Sequence, residues 1–455
     1  MINRLFKNSY FLSSLQFVSL TVFVLLIYGG IGITTDDPDF AKILRNTNLP
    51  NLIVWSYWWP MIIVTAILFG RFWCSICPME LITSFFGKIG LRKRPGKILK
   101  SGWIITLFYA LILVIGIHTF AIHRIPQLMA VYMLILFAVA VVVGLIWEKR
   151  TFCTYVCPIG HLLGLYSLLS FKQLRVKDKS VCDSCKTKDC IHITNHYKFT
   201  GRSCTSELFP PNITDNRACI MCGQCFKSCT KDNIAISKRR FAADLFTNIK
   251  LKWAEIAFFI TVSGFVVYEI LSEWALGKKM LMTIPNWLNH SLDISGNASG
   301  TIKAIVLFGV LPWAFYSIFV LAKSFLSKET WKDSFTQLVL AILPITASMH
   351  LLKALLKTTS RIPYWNYVFQ DPNGVETAKK IMQDKSLLHN DILENYISPG
   401  VSFMAITLII SGLVFSIYTI NKQKHNNSYS KAISILAAAI YATLFLLSLI
   451  NWRLL

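Results

Sequence analysis

The sequence predicts a polytopic α-helical membrane protein of about nine spans, interrupted by one inserted cysteine-rich segment. Three observations carry that reading. Of 455 residues, 54% are hydrophobic and only 15% charged. The apolar residues fall in runs of about 20, long enough to cross a hydrocarbon core of about 30 Å. Eight of the 12 cysteines fall within residues 182–229, between two blocks of such runs. The net charge of +23 does not indicate nucleic acid, because Lys and Arg sit mostly in short loops beside the spans. Positive-inside topology accounts for them, with the lipid bilayer as the partner.

In chain order, a basic start (Arg4, Lys7) leads into a first apolar run, about residues 17–33. The run is long and lacks a small-residue cleavage site, so it reads as an uncleaved anchor entering from the cytoplasm. Acidic residues 36–39 then lie outside, and a second span, 52–70, returns to Arg71. There the sequence Arg71-Phe-Trp-Cys74-Ser-Ile-Cys77-Pro78 appears, followed by a basic loop over 88–100. Spans 103–120 and 128–147 repeat the pattern and end in Arg150-Thr-Phe-Cys153-Thr-Tyr-Val-Cys157-Pro158. This is an internal duplication of two hairpins, each ending in a thiol pair at the cytoplasmic surface. Proline suits a first helical turn, so each Cys-Pro is expected to open an amphipathic helix. Five further spans follow at about 253–270, 304–321, 338–355, 403–420 and 433–450, with outer loops at 271–303 and 358–402. The aromatic run 364–367 in the second of these loops reads as interfacial anchors. The chain thus divides into a membrane block (1–170), a cysteine-rich cytoplasmic domain (171–240) and a five-span block (241–455).

The second half of the cysteine-rich segment reads Cys219-Ile-Met-Cys222-Gly-Gln-Cys225-Phe-Lys-Ser-Cys229. In the bacterial C-x2-C-x2-C-x3-C run, three thiolates hold one [4Fe–4S] cluster and the fourth crosses to its neighbour. The first half supplies Cys182, Cys185, Cys190 and Cys204. Cross-ligation assigns Cys182, Cys185, Cys190 and Cys229 to one cluster, and Cys219, Cys222, Cys225 and Cys204 to the other. Gly223 frees the backbone to wrap closely. Zinc is the plainer alternative, but this run is a poor zinc ribbon. Disulfides need an oxidising compartment, and the topology places the segment in the cytoplasm. The segment is therefore expected to be a ferredoxin-like domain with two [4Fe–4S] clusters.

Paired Cys-Pro motifs followed by eight ferredoxin cysteines resemble the membrane polyferredoxins typified by NapH, the C-terminal half of NosR, and CcoG. The resemblance covers about residues 50–240. It implies [4Fe–4S] clusters on the cytoplasmic side and quinol-linked electron transfer to periplasmic reductases or their electron-carrier subunits, reductase maturation, or copper reduction. The first motif here has the spacing Cys74-x2-Cys77 and the second Cys153-x3-Cys157, and residues 241–455 lie outside the resemblance.

The four Cys-Pro thiols, Cys74, Cys77, Cys153 and Cys157, are candidates for a third metal site or redox centre. Facing pairs could hold iron–sulfur or copper(I), both suited to soft ligands, or act as a thiol relay. A turn-shaping role is the plainer reading. His118 and His350 sit near the outer ends of their spans, as candidates for b-type haem ligation, quinone hydrogen bonding or packing. His161 accompanies the second motif and is placed to face the thiols. The expected function is an iron–sulfur electron-transfer component linking a quinone pool or cytoplasmic donor to a periplasmic reductase system, in the bacterial inner membrane. The alternatives are metallocofactor maturation or copper reduction for an oxidase or nitrous oxide reductase, and a transporter with redox-sensing clusters. Proton pumping is not expected, because Glu269 and Glu273 sit only at a span end.

Overall fold

The computed structural model describes residues 2–8, 10–198, 201–204 and 206–454. Among these, eight helices are long and apolar enough to cross a bilayer. They are Phe11–Tyr28, Leu49–Phe69, Pro126–Ile146, Trp253–Leu271, Gly296–Ser327, Trp331–Val368, Leu393–Lys422 and Ser428–Arg453. The remaining expected span is a shorter apolar helix, Trp103–Thr119, whose end (Ile112–Thr119) is π-helical. The first span begins and ends earlier than its hydropathy suggests, because the turn after Tyr28 contains Gly32 in the left-handed region (φ 81°).

The chain divides into two compact units that cut across the three sequence segments. The first comprises Met1–Tyr28, Val64–Phe108 and Tyr132–Asp244. Here Phe11–Tyr28 packs on Phe72–Ile76 and Pro78–Ile89. Strand β1 (Lys172–Val176) pairs antiparallel with β2 (Ile234–Lys238), Leu174 opposite Ile236. The period-2 alternation turns Leu174, Ile234 and Ile236 inward, onto Phe226, Met221 and Phe6. Arg239 closes this module by donating to Ser167 O (2.9 Å), Leu168 O (3.1 Å) and Ser170 O (2.8 Å). It thereby satisfies carbonyls left over at the end of helix Gly160–Ser167.

The second unit comprises Gly29–Ile63, Tyr109–Val131 and Leu245–Leu455. Its centre is helix Trp331–Thr359, opened by Thr330, whose hydroxyl accepts from Asp333 N. Helices Trp253–Leu271, Leu311–Ser327, Ser398–Lys422 and Ser428–Leu449 surround it. Small residues set the closest approach: a Cβ on Gly412 would stand 2.9 Å from Ser348 Oγ. The aromatic run of the long outer loop is packed within this unit. Tyr364 is buried and Trp365 Nε1 donates to Tyr57 OH.

Candidate metal centres

The first unit contains all twelve cysteines, each as a free thiol. Cys182, Cys185, Cys190 and Cys229 line one partly open cavity of about 410 Å³, solvent at its mouth included. Helix Lys179–Asp183, capped by Asp178, presents Cys182. Cys229 ends helix Gln224–Ser228. Asn233 ties the two together: its Nδ2 donates to Cys182 Sγ (3.1 Å), and its backbone N–H to Cys229 Sγ (3.4 Å). The backbone N–H of Lys188 and the Thr187 hydroxyl hold the Cys185 thiol below its ordinary pKa.

Cys204, Cys219, Cys222 and Cys225 form a second group within electrostatic reach of one another. The chain wraps tightly here because Met221 (φ 50°) and Gly223 (φ 69°) are both left-handed. A Cβ on Gly223 would stand 2.7 Å from the Phe6 ring, so glycine is required by conformation and by space. Burial pushes the Cys219 thiol up to about 12 and Cys225 well above its ordinary value. Cys204 N donates to Cys190 O (2.6 Å), joining the two groups.

The Cys-Pro thiols form a third group: Cys77 lies within reach of Cys74, Cys153 and Cys157. Cys77 is extended (φ −64°, ψ 133°), and Pro78 opens helix Pro78–Ile89 as expected. The second motif differs. Pro158 and Ile159 form a turn, and the helix begins at Gly160. That helix is buried along most of its length rather than amphipathic, because it is wedged inside the unit, with Gly164 close to Arg217 O. Burial and the neighbouring thiols raise Cys77 well above its ordinary value, and burial lifts Cys157 to about 12. Without a cation these groups stay protonated; a metal deprotonates a coordinating thiol. His161 Nε2 donates to Gly102 O (3.0 Å).

Sequence reasoning missed a buried charge network in the same unit. Glu80, 1% exposed, pairs with Arg150 and with Arg202 (3.4 Å) and accepts from Ser84 Oγ (2.7 Å) and Gln16 Nε2. Arg150 lies in the field of Cys222, Cys153 and Cys204. A signal was present: Arg71 and Arg150 both stand three residues before the first cysteine of their motifs, and both are buried. Phe6 was missed too. Helix Ile2–Lys7 folds onto the second thiol group, where Phe6 packs on Phe72 and Phe226, and Asn3 Oδ1 accepts from Ile236 N.

The residues fit iron–sulfur ligation. Four thiols border one cavity, and left-handed backbone wraps the second group. Arg150 Nε and Nη1 and Arg202 Nε are buried with no hydrogen-bond partner among the described residues. Arg150 lies in electrostatic reach of Cys153, Cys204 and Cys222, and Arg202 of Cys222, whose ligated form would carry negative charge. No three His, Cys, Asp or Glu side chains among the described residues are arranged to hold a single metal ion. Single-ion tetrahedral sulfur ligands stand roughly 3.8 Å apart, whereas a cubane places each thiolate on a separate iron.

His118 and His350 belong to the second unit, where each packs against an aromatic ring: His118 lies 4.8 Å from Phe308 and His350 6.1 Å from Phe265, centroid to centroid.

A family described as "4Fe-4S binding domain" matches the chain twice, over residues 51–97 and 129–175. Each match contains one Cys-Pro motif, and the pair restates the duplication. Two uncharacterized proteins of Methanocaldococcus jannaschii are similar: one is 24% identical over 51% of this chain and 94% of its own length. The other is 26% identical over 38% of this chain and 68% of its own. The ferredoxin-type protein NapH of Escherichia coli is 26% identical over 20% of this chain and 31% of its own length. NapH of Haemophilus influenzae is 24% identical over 21% and 32%. The match thus spans about a third of each NapH. No solved structure matches. The repeated 4Fe–4S-domain match and the two NapH matches make this multi-pass membrane protein similar, at low identity and over about a fifth of its length, to NapH-like membrane polyferredoxins.

Proposed function

We propose that the chain is a membrane-integral electron carrier joining a quinone pool or cytoplasmic donor to a periplasmic reductase system. The observation that carries the reading is the gathering of twelve thiols, as three groups of four, in one compact unit. Cys182, Cys185, Cys190 and Cys229 would hold one [4Fe–4S] cluster, and Cys204, Cys219, Cys222 and Cys225 the second. Cys74, Cys77, Cys153 and Cys157 would hold a third iron–sulfur centre, which the 4Fe–4S-domain matches over these motifs favour. When bound, such clusters supply one-electron transfer; the chain sets ligation, spacing and potential. Phe6 and Phe226 keep water from the second group, while Arg150 and Arg202 place fixed positive charge beside it.

The topology belongs to the same proposal. Lys and Arg bias between alternate loops puts the thiol groups on the cytoplasmic side of a bacterial inner membrane. A reporter fused after Lys238 should read cytoplasmic, and one fused after Asn373 periplasmic.

The test is reoxidation of dithionite-reduced protein in which Cys77 and Cys157 are both changed to Ser. Wild-type protein, purified anaerobically, should carry about eight iron from the ferredoxin segment and about four more from the Cys-Pro group. The double variant should lose the extra iron and its reoxidation by a quinone analogue, while the ferredoxin signals persist. Selective loss of reoxidation by copper(II) would instead favour metallocofactor maturation. Wild-type rates with both acceptors would leave Cys77 and Cys157 a structural role.

A further inference from the structure

The second unit contains a second gathering of charge, with no cysteine in it. Arg45 comes from helix Pro38–Thr47, Arg124 from the turn before Pro126, and Lys357 and Arg361 from the end of span Trp331–Val368. Hydrogen bonds bring these three stretches together. Asn51 Nδ2 donates to Arg45 O (3.3 Å) and to His123 O (3.4 Å). Tyr57 OH donates to Thr358 O (3.3 Å), and Thr358 Oγ1 to Ser56 O (2.8 Å). Arg45 consequently lies in the field of both Arg361 and Arg124, and Lys357 in that of Arg45 and Arg361.

The carboxylates nearby are already engaged. Glu269 (3.4 Å) and Glu273 (2.8 Å) both pair with Lys353. Among the described residues, none of the three arginines makes an ion pair. Arg361 Nε is buried without a hydrogen-bond partner. His123 Nε2 accepts from Arg124 Nε (3.3 Å), which leaves the ring's proton on Nδ1, also buried and unpartnered. Burial and then the cations Arg45, Lys357 and Arg124 push the His123 imidazole well below its ordinary pKa, so it stays neutral beside them.

Glu269 lies in reach of Arg45 and Lys357, and Glu273 of Arg361, but both pair with Lys353, so the half-buried Arg45, Arg124, Lys357 and Arg361 keep a net positive charge that a bound anion would neutralise. Guanidinium forks match tetrahedral and planar oxyanions through paired N–H donors. A neutral quinone carbonyl would leave most of the charge uncompensated.

We propose that Arg45, Arg124 and Arg361, assisted by Lys357 and His123 Nδ1, bind a phosphate-type oxyanion, free or as the headgroup of an anionic lipid. The full-length protein, delipidated in neutral detergent, would be titrated with inorganic phosphate and, separately, with a short-chain phosphatidylglycerol, following the unfolding midpoint. A saturable rise is expected with at least one. Phosphate alone would identify a free anion, phosphatidylglycerol alone a lipid headgroup, and both are outcomes in favour. Arg45→Gln with Arg361→Gln should weaken the apparent affinity at least tenfold, while Lys379→Gln, an exposed control, should not. Should the double glutamine variant fail to fold, Arg45→Lys with Arg361→Lys keeps the charge, loses the fork, and should bind several-fold more weakly than wild type. No saturable response to either ligand, or wild-type affinity in the folded variants, would overturn the site.

Discussion

The two thiol groups of the ferredoxin-like segment share one stretch of chain yet sit in different surroundings. Cys182, Cys185, Cys190 and Cys229 border a cavity open to solvent, and sulfur there receives hydrogen bonds from Asn233. In the other group, Cys225 is buried and Cys219 packs against the core that holds Phe6, while Cys204 and Cys222 lie in the field of Arg150, and Cys222 also in that of Arg202. For one cluster type with four thiolate ligands, the potential follows net charge, hydrogen bonding to sulfur and solvent exposure. The same four-thiolate chemistry is therefore placed beside a solvent-open cavity in one case and beside buried cations in the other. The two groups should therefore titrate at different potentials.

The contrast breaks most completely if the ligand sets are wrong. Cys222→Ser should abolish the buried cluster, and Cys229→Ser the solvent-facing one, each seen as loss of about four iron and of one spectroscopic signal. If Cys229→Ser removed the signal that depends on Cys222, the cross-ligation would fail and the two settings would have to be reassigned.

Glu80→Gln sharpens the contrast. It leaves Arg150 and Arg202 buried without their carboxylate, where breaking a buried pair costs about 3–5 kcal/mol. The added net positive charge stabilises the reduced form of a cluster, so the potential of the buried group should rise. The solvent-facing group should not move, because none of its thiols is among those in Arg150's field. Redox titration followed by electron paramagnetic resonance separates the two. Equal shifts would show that the arginines act on the whole segment.

Phe6→Ala tests the exclusion of water. Phe6 is 1% exposed, and truncating a buried Phe costs about 3–5 kcal/mol. The helix Ile2–Lys7 should loosen, and oxygen should strip iron from the buried group faster than in wild type, with a smaller change in the open group, whose Cys190 and Cys229 touch the edge of the same core. An unaltered rate would mean that Phe226 and Met221 suffice to exclude water.

These effects differ in how far the sequence announced them. Span positions were readable because hydropathy is local, and Gly223 because the tight run of thiols demands a left-handed residue. The duplication was readable from the repeated Cys-Pro. The roles of Phe6, Glu80 and Arg150 were not, because each depends on what the folded chain lays over it. A phenylalanine in a basic leader and an arginine at a span end look the same whether solvated or buried. The second Cys-Pro motif shows the converse: Pro158 suits a first helical turn, but Pro158 and Ile159 form a turn and the helix begins at Gly160.

Asn233→Ala probes the solvent-open setting with the smallest expected effect. Asn233 Nδ2 donates to Cys182 Sγ at 3.1 Å, and its Oδ1 accepts from Asp178 N at 3.0 Å. A hydrogen bond to sulfur withdraws electron density from the thiolate and favours the reduced cluster, so losing one should lower the potential. A bond worth about 1 kcal/mol corresponds to roughly 40 mV for one electron. The backbone bond from residue 233 to Cys229 Sγ is retained in alanine, which keeps the shift to the side-chain donor alone. Loss of the Asp178 contact should also loosen the cap of helix Lys179–Asp183, by roughly 1 kcal/mol. Thermal unfolding measures that part separately. A fall of tens of millivolts in the solvent-facing group, with the buried group constant, would tie the hydrogen bonds to the difference between the two settings. A constant potential in both would leave exposure and the arginines as its only sources.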